Sequence, residues 1–353
     1  MKDKMVLVAM SGGIDSSVAA YLLKKQGYQV TGVTMSFNVA GSDLHHGDLL
    51  SSHNDARKVC NILHIPHRIL DLTAEFEQEV VNPFIREYLY GRTPNPCIIC
   101  NRLIKFGRLF DYAVQEGFDF FATGHYARIE KIKNQYVLRK PRDRSKDQTY
   151  FLYNLRRETL EKILFPLADL TKEEARAIVR ELDLPIGEKP ESQDICFLPQ
   201  GGYQDFIRNR THLDQPGPIV DRQRKELGKH RGVYYYTVGQ RKGLGISAPS
   251  ALYVISIEPD RNTIVVGEKK DLYTRALIAH KLNFLIDNIV DHTMFAQTRY
   301  AHRESPCQIK LLNDTMRVIF HQKQENMTPG QSVVLYTAEG IVAGGGIIKE
   351  VIR

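Results

Sequence analysis

Tryptophan is absent from the 353 residues, and there are only five cysteines: Cys60, Cys97, Cys100, Cys196 and Cys307. A small, odd number of cysteines in a long chain excludes the disulfide framework of a small secreted domain, so the thiols read as reduced. No apolar run approaches the ~18 residues of a membrane span. The apolar start, MKDKMVLVAM, runs straight into Ser-Gly-Gly and reads as a first strand rather than a signal peptide. A cytoplasmic protein with no membrane partner is the expectation. Solenoid repeats and low-complexity tracts are missing as well. Acidic residues are in the minority, 41 against 48 Lys and Arg, for a net charge of +7. That excess leans toward a polyanionic partner without establishing one.

What is present begins with an α/β rhythm. Met5–Met10 is a continuous apolar run suited to a strand buried on both faces. A Gly/Ser turn, helix-period apolar residues over Val18–Leu23, Gly27 and a second β-rich run at Gln29–Met35 follow. The alternation continues: a helix over Asn54–Leu63 capped by Asn54, a strand at Arg68–Leu72, a helix over Thr73–Tyr90 interrupted at Pro83, a helix over Asn101–Gly117 and a strand at Phe118–Thr123. This predicts a doubly wound parallel sheet with its ligand at the strand carboxyl ends. Arg139–Lys146 reads as an exposed basic loop, and Thr171–Leu182 as a helix opened by a TxxE capping box. From Gly201 the texture changes to short strands, glycines and turns, and Lys269–Arg353 reads as a small β-barrel. The expected domains are 1–200, a small central domain at 201–268 and a barrel at 269–353.

The sharpest motif is SGGIDSS, Ser11–Ser17, at the first strand–helix joint. Consecutive small residues let backbone N–H groups converge on one concavity, and the helix N-terminus adds positive potential there. No lysine follows the glycines, which excludes the G-x-x-x-x-G-K-[ST] loop. Asp15 is suited to a magnesium ion on bound phosphates, without making a dedicated metal site. The loop resembles that of the pyrophosphate-loop ATPases, which cleave ATP between the α and β phosphates.

The second constellation is GRTPNPCIICNRLIKF, Gly91–Phe106. Cys97 and Cys100 stand at the start of a helix, where thiol pKa values fall, and Arg102 and Lys105 push the same way. A zinc site needs four ligands, and no second CxxC or CxxH pair completes one. Cys196, in ESQDICF, is a candidate partner thiol, while Cys60 and Cys307 sit in apolar-patterned runs as small hydrophobes. The cluster His45, His46, His53, His64 and His67 is irregularly spaced and reads as a solvated segment. Basic residues in Arg222–Lys242, beside the aromatics Tyr234–Tyr236, suit RNA contact.

Taken in order, MSGGIDSSVAAYLLKKQGYQVTGV, NDARKV, GRTPNPC, ATGHYARI, KDQTYFL, LFPLADLTKEEAR, ESQDICF and YYTVGQRKGLGI make the chain resemble bacterial tRNA-specific 2-thiouridylases over nearly its whole length. The resemblance implies an adenine-nucleotide α-hydrolase-like α/β domain, a small central domain and a C-terminal β-barrel. It implies ATP contact by Ala9, Met10, Ser11, Gly12, Gly13, Ile14, Asp15, Ser16, Met35 and Gly124. Cys100 would be the nucleophile and Cys196 the persulfide carrier. Asn95, Pro96 and Cys97 would face the target base. His125, Lys146, Asp147, Gln148, Arg299, Tyr300 and Gln331 would contact tRNA. A persulfide sulfur-donor protein and a reductant would be partners, and ATP with Mg2+ the cofactor. The chain departs from the family at Cys97, where aspartate is usual. Three roles stay open for that residue: a simple thiol, an off-cycle disulfide with Cys100, or an iron–sulfur cluster shared with Cys100 and Cys196.

Overall fold

The computed structural model describes residues 3–40, 46–186, 195–199, 201–289 and 292–352, residues 46–52 by backbone alone. The chain divides into two compact units. The first holds 1–79, 97–198 and 340–342; the second holds 80–96, 199–339 and 343–353.

In the first unit, strand β1 (Met5–Ala9) leads through Ser11–Gly13 into helix α1 (Ile14–Lys25). The turn is shorter than the SGGIDSS motif because helix geometry is already established at Ile14. Strand β2 (Gln29–Ser36), helix α2 (His46–Ile62) and strand β3 (His67–Asp71) follow. Asn54 lies inside α2 and caps nothing. Between Thr73 and Leu89 the chain is helical throughout: α3 (Thr73–Phe76), a π-helix at Glu77–Val81 and α4 (Asn82–Leu89), with Val80–Pro96 belonging to the second unit and the first resuming at Cys97. Pro83 does not interrupt the helical run: the chain is already helical at Val81 (φ −71°, ψ −51°), and a π turn directly precedes the proline. Then come α5 (Pro96–Ile99), a ten-residue π-helix at Cys100–Leu109, α6 (Phe110–Gln115), β4 (Phe120–Ala122), the hairpin β5 (Arg128–Ile132) and β6 (Gln135–Arg139), β7 (Ile163–Leu164) and α7 (Lys172–Glu181). The expected exposed loop at Arg139–Lys146 holds in part: Arg142, Arg144 and Ser145 are exposed, while Arg139 ends β6, Pro141 is buried and 144–146 form a short 3-10 turn.

The main sheet runs β3-β2-β1-β4-β7, every pair parallel. Successive strands move outward from β1 to β3, and the chain then crosses back to β4 on the other side. That reversal puts the switch point between β1 and β4, where open α/β sheets receive ligands. Val6, Val8, Val18, Ala20 and Leu23 pack with Ala175, Val179 and Leu184 in one core. Each large aliphatic among them contributes roughly 1.5–3 kcal/mol by leaving water. The capping box that starts α7 is present: Thr171 accepts from the Glu174 N–H and Glu174 from the Thr171 N–H.

In the second unit, helix α8 (Gly202–Thr211) stands where short strands and turns were expected. A four-stranded sheet follows, built from β8 (Gly217–Val220), β9 (Glu226–His230), β10 (Tyr253–Glu258) and β11 (Thr263–Gly267). Strands β12 (Tyr273–Phe284), β13 (Met294–Gln297), β14 (Ser305–Leu312), β15 (Thr315–Glu325), β16 (Ser332–Thr337) and β17 (Val342–Ile352) close a barrel in the order β12-β15-β14-β13-β16-β17. Leu277, Met294, Met316, Val318, Leu335 and Ile348 fill it. The glycine run in β17 has a steric reason. A Cβ at Gly344 would lie 2.2 Å from the Asn283 carbonyl oxygen, where the β12–β17 register shifts.

Candidate active site

The turn after β1 is held from both sides. Ser16 Oγ accepts from the Ser11 N–H (3.2 Å) and donates to the Gly13 carbonyl (3.1 Å); Ser17 Oγ donates to the same carbonyl (2.9 Å). Gly12 takes φ +72°, which favours glycine. Gly13 provides no side-chain cap, so the first-turn amides of α1 face outward unsatisfied by a side chain. Gly124, just beyond β4, closes against them. A Cβ there would come within 2.5 Å of the Asp15 carbonyl carbon and 2.6 Å of the Ser16 nitrogen. Met35, half-buried at the carboxyl end of β2, lies at the same edge of the sheet. Ala9, Met10 and Ile14 are backbone and core around this turn, Met10 and Ile14 being buried.

Sequence reasoning missed Lys172. It is buried at the start of α7, with Nζ 2.7 and 2.9 Å from the two carboxylate oxygens of Asp15. The Tyr126 hydroxyl also donates to Asp15, at 3.2 Å. The carboxylate expected to meet magnesium is therefore neutralised by a lysine. The capping box one residue earlier was the available signal, because it places residue 172 in the first helical turn. Among the described residues no three His, Cys, Asp or Glu side chains are grouped to hold a metal ion. Cys97, Cys100 and Cys196 do not form such a group in this arrangement.

The three thiols are nonetheless close enough to feel one another. Cys97 lies in α5 and Cys100 opens the π-helix; both are partly buried, and Cys196 is exposed. All three are free thiols. Burial raises the Cys97 pKa and pushes Cys100 up to about 11, with Cys97 adding to the latter. Cys196 keeps an exposed face, yet the chain around its sulfur displaces water and, with Cys100 and Cys97, pushes it up to about 12. The lowered thiol pKa expected at a helix start is thus not what the site provides. Lys105 opposes the rise at each cysteine, as anticipated, but desolvation outweighs it. The Arg102 guanidinium donates to the Asn154 carbonyl at 2.5 Å. Arg108 is likewise spent, on Glu79 (3.0 Å). Lys105 alone on the π-helix stays unpaired among the described residues.

Cys196 is anchored by its neighbour Phe197, whose buried ring meets Phe76 edge-on at 5.7 Å, while Phe76 stacks on Phe37. The rest of the motif, Glu191–Asp194, lies outside the described residues, as does His45. His53 is buried and His67 shares a hydrogen bond with Thr34 (2.8 Å), so this pair is structural rather than solvated.

His125 follows Gly124 and shares a 2.7 Å hydrogen bond between Nδ1 and Thr123 Oγ1. Burial, then the charge of Lys105, lowers its pKa well below the ordinary imidazole value, so the ring is neutral. Of the expected tRNA contacts, Gln148 accepts from the Tyr126 N–H (2.8 Å) and Asp147 from Thr149, while Lys146 is half-buried. In the second unit Arg299 donates to Thr328 (2.5 Å) and to the Val238 carbonyl, and Gln331 donates to the Thr93 carbonyl (2.8 Å). Tyr300 is 43% exposed. Asn95 is half-buried and its side chain makes no hydrogen bond among the described residues; Pro96 is buried. The aromatics Tyr234, Tyr235 and Tyr236 are buried, the first two bonded to Asp214, so they present no stacking face to RNA.

Family models described as tRNA methyl transferase HUP domain, tRNA methyl transferase PRC-barrel domain and Aminomethyltransferase beta-barrel domain match residues 4–200, 204–268 and 274–348. A tRNA-specific 2-thiouridylase of Syntrophus aciditrophicus is 49% identical, over 99% of this chain and 94% of its own length. Those of Caldicellulosiruptor saccharolyticus and Syntrophotalea carbinolica are each 45% identical, over 98% of this chain and 99% of theirs. No helix among the described residues is long and apolar enough to cross a membrane. Identity at this level over the full length, with the glycine turn and the grouped thiols in place, makes the chain a member of the tRNA-specific 2-thiouridylase family.

Proposed function

We propose that this chain is a tRNA-uridine 2-sulfurtransferase acting on the wobble uridine. The observation that carries the reading is the grouping of Cys97, Cys100 and Cys196 within electrostatic reach of one another, in the unit that also holds the open-ended α1 turn. The turn and the first-turn amides of α1 suit the phosphates of ATP, with Gly124 leaving room for close approach. Magnesium enters as the counter-ion of ATP itself, supplying charge neutralisation as pyrophosphate departs. Lys172 holds Asp15 beside that turn.

The reaction then runs in two stages. Uracil O2 attacks the α-phosphorus of ATP, pyrophosphate leaves, and the N3 proton is lost. The outer sulfur of a persulfide on Cys196 attacks C2, and AMP carries the old oxygen away. Cys100, as thiolate, attacks Cys196 Sγ and releases the thiolated base. The sulfane sulfur is reduced, and the two cysteines are oxidised to a Cys100–Cys196 disulfide that a reductant reopens. A persulfide ionises more readily than a thiol, so a carrier at Cys196 overcomes the raised thiol pKa that burial imposes. Neutral His125 is available to hydrogen-bond the substrate, and Asn95 has a free amide for a base edge. Cys97 serves as a wall of the base pocket.

The test uses the full chain with tRNA, ATP and a persulfide donor, reading nucleosides by mass spectrometry. Wild type is expected to form 2-thiouridine and AMP. Cys100→Ser is expected to form AMP without completing turnover, and Cys196→Ser to carry no protein persulfide. Thiolation that survives Cys196→Ser with a persulfide still on the protein overturns the assignment.

A further inference from the structure

We infer that the barrel turn Pro329–Gln331 positions Asn95 for the target base, making Gln331 a positioning residue rather than an RNA contact. The inference rests on the reading above that Asn95 meets the uracil. The turn joins β15 to β16 and is tied to the barrel wall: the Gly330 N–H donates to the Ile348 carbonyl (2.9 Å) and the Ile348 N–H to the Gln331 carbonyl (2.8 Å). Against this anchored turn lies Thr93, with both its backbone groups engaged. Its N–H donates to the Pro329 carbonyl at 2.9 Å, and its carbonyl accepts from Gln331 Nε2 at 2.8 Å. An accepting carbonyl fixes which end of the Gln331 amide faces it.

The approach is too close for any side chain at residue 330. A Cβ there would lie 2.8 Å from the Thr93 nitrogen and 3.0 Å from the Thr93 carbonyl carbon, and φ is +93°. From Thr93 to Asn95 there is no helix or strand to transmit position. Covalent stiffness does it instead. Pro94 fixes its own φ and restricts Thr93, and Pro96 restricts Asn95. Holding Thr93 therefore orients Asn95 two residues on, without touching its side chain. Among the described residues the Asn95 amide has no hydrogen-bond partner, while its backbone is held.

The experiment compares wild type, Gln331→Leu and Gly330→Ala as full-length protein. Hydrogen exchange of the peptide spanning Gly91–Asn95 is expected to speed up about tenfold in Gln331→Leu, the scale of one lost hydrogen bond. Exchange in β12 and β17 should stay unchanged. In thiolation assays kcat is expected to fall about tenfold while tRNA affinity stays within about twofold, since orientation is lost and phosphate contacts are kept. Gly330→Ala reaches the same end by a different route, through the clash with Thr93, and so decides the matter if Gln331→Leu does not fold. Unchanged exchange over 91–95 in the folded variants overturns the inference. Weakened tRNA binding with unchanged kcat also overturns it, and returns Gln331 to the RNA surface. If wild type makes no 2-thiouridine, the functional reading fails, while exchange still reports whether the turn holds Thr93.

Discussion

Lys105 is the residue whose role depends most on its surroundings. It stands five residues after Cys100, the spacing at which a π-helix closes its hydrogen bonds, so it lies one turn beyond the thiol. Its charge favours the thiolate at Cys97, Cys100 and Cys196 alike. Removing it should raise those thiol pKa values further, leaving less thiolate at any pH. For Lys105→Met, alkylation of Cys100 followed by peptide mass spectrometry at pH 8 is expected to slow about tenfold, one pKa unit's worth. Lys105→Arg should restore the rate; an unchanged pH profile in Lys105→Met would show that the ammonium does not act on sulfur. The cation near the CxxC was legible in the sequence, whereas the desolvation that overrides it was not. Burial depends on what packs over the helix from distant parts of the chain. Arg299 is a similar case. The family resemblance implied an RNA contact for it, and its guanidinium donates to Thr328 and the Val238 carbonyl, partners that no local pattern shows.

At the scale of elements, the first strand–turn–helix was readable because its signals are local. β1 is uniformly apolar, the glycines allow the turn, and the serines satisfy its backbone. The approach of the β4 loop to that turn was not readable, since it depends on β4 pairing beside β1 from more than a hundred residues away. Gly124→Ala tests that approach. The added methyl meets backbone on both Asp15 and Ser16, which cannot swing aside as a side chain would. Stability should fall by about 1–3 kcal/mol, the usual cost of overpacking, and ATP should bind more weakly. Normal calorimetric ATP binding together with an unchanged melting temperature would remove Gly124 from the site. The π-helices at Glu77–Val81 and Cys100–Leu109 gave no such warning: their residues satisfy a 3.6 period equally well, and the extra residue per turn is decided by packing.

For the whole molecule, the buried thiols set an alkaline limit. Cys60 is pushed up to about 11 and Cys307 to about 12, both by burial. The unfolded chain ionises near 9, before the folded chain does. Above that pH the unfolded state has lost protons that the native state keeps, so stability falls as pH rises. Each thiol should cost about 1 kcal/mol per pH unit between pH 9 and its folded pKa. Urea unfolding at pH 8 and pH 10 is expected to show the loss, and Cys60→Ala with Cys307→Val to flatten it. An unflattened slope in that double variant would mean that other groups, the buried tyrosines first, set the limit.

The sequence by itself determined the fold class, and it named the residues proposed to carry the chemistry. Strand and helix periods are local, turn glycines act within a few residues, and the cysteines and the SGG loop are rare enough to be specific. Tertiary structure decided the rest, because it concerns what lies beside each group. Lys172 meets Asp15 across 157 positions, and Gln331 meets Thr93 across 238. The tyrosines of the central domain turn inward to Asp214, and burial raises the thiols that a helix start was expected to acidify. Contacts over such separations exist only once the sheet order and the barrel closure are set, and no local pattern encodes them.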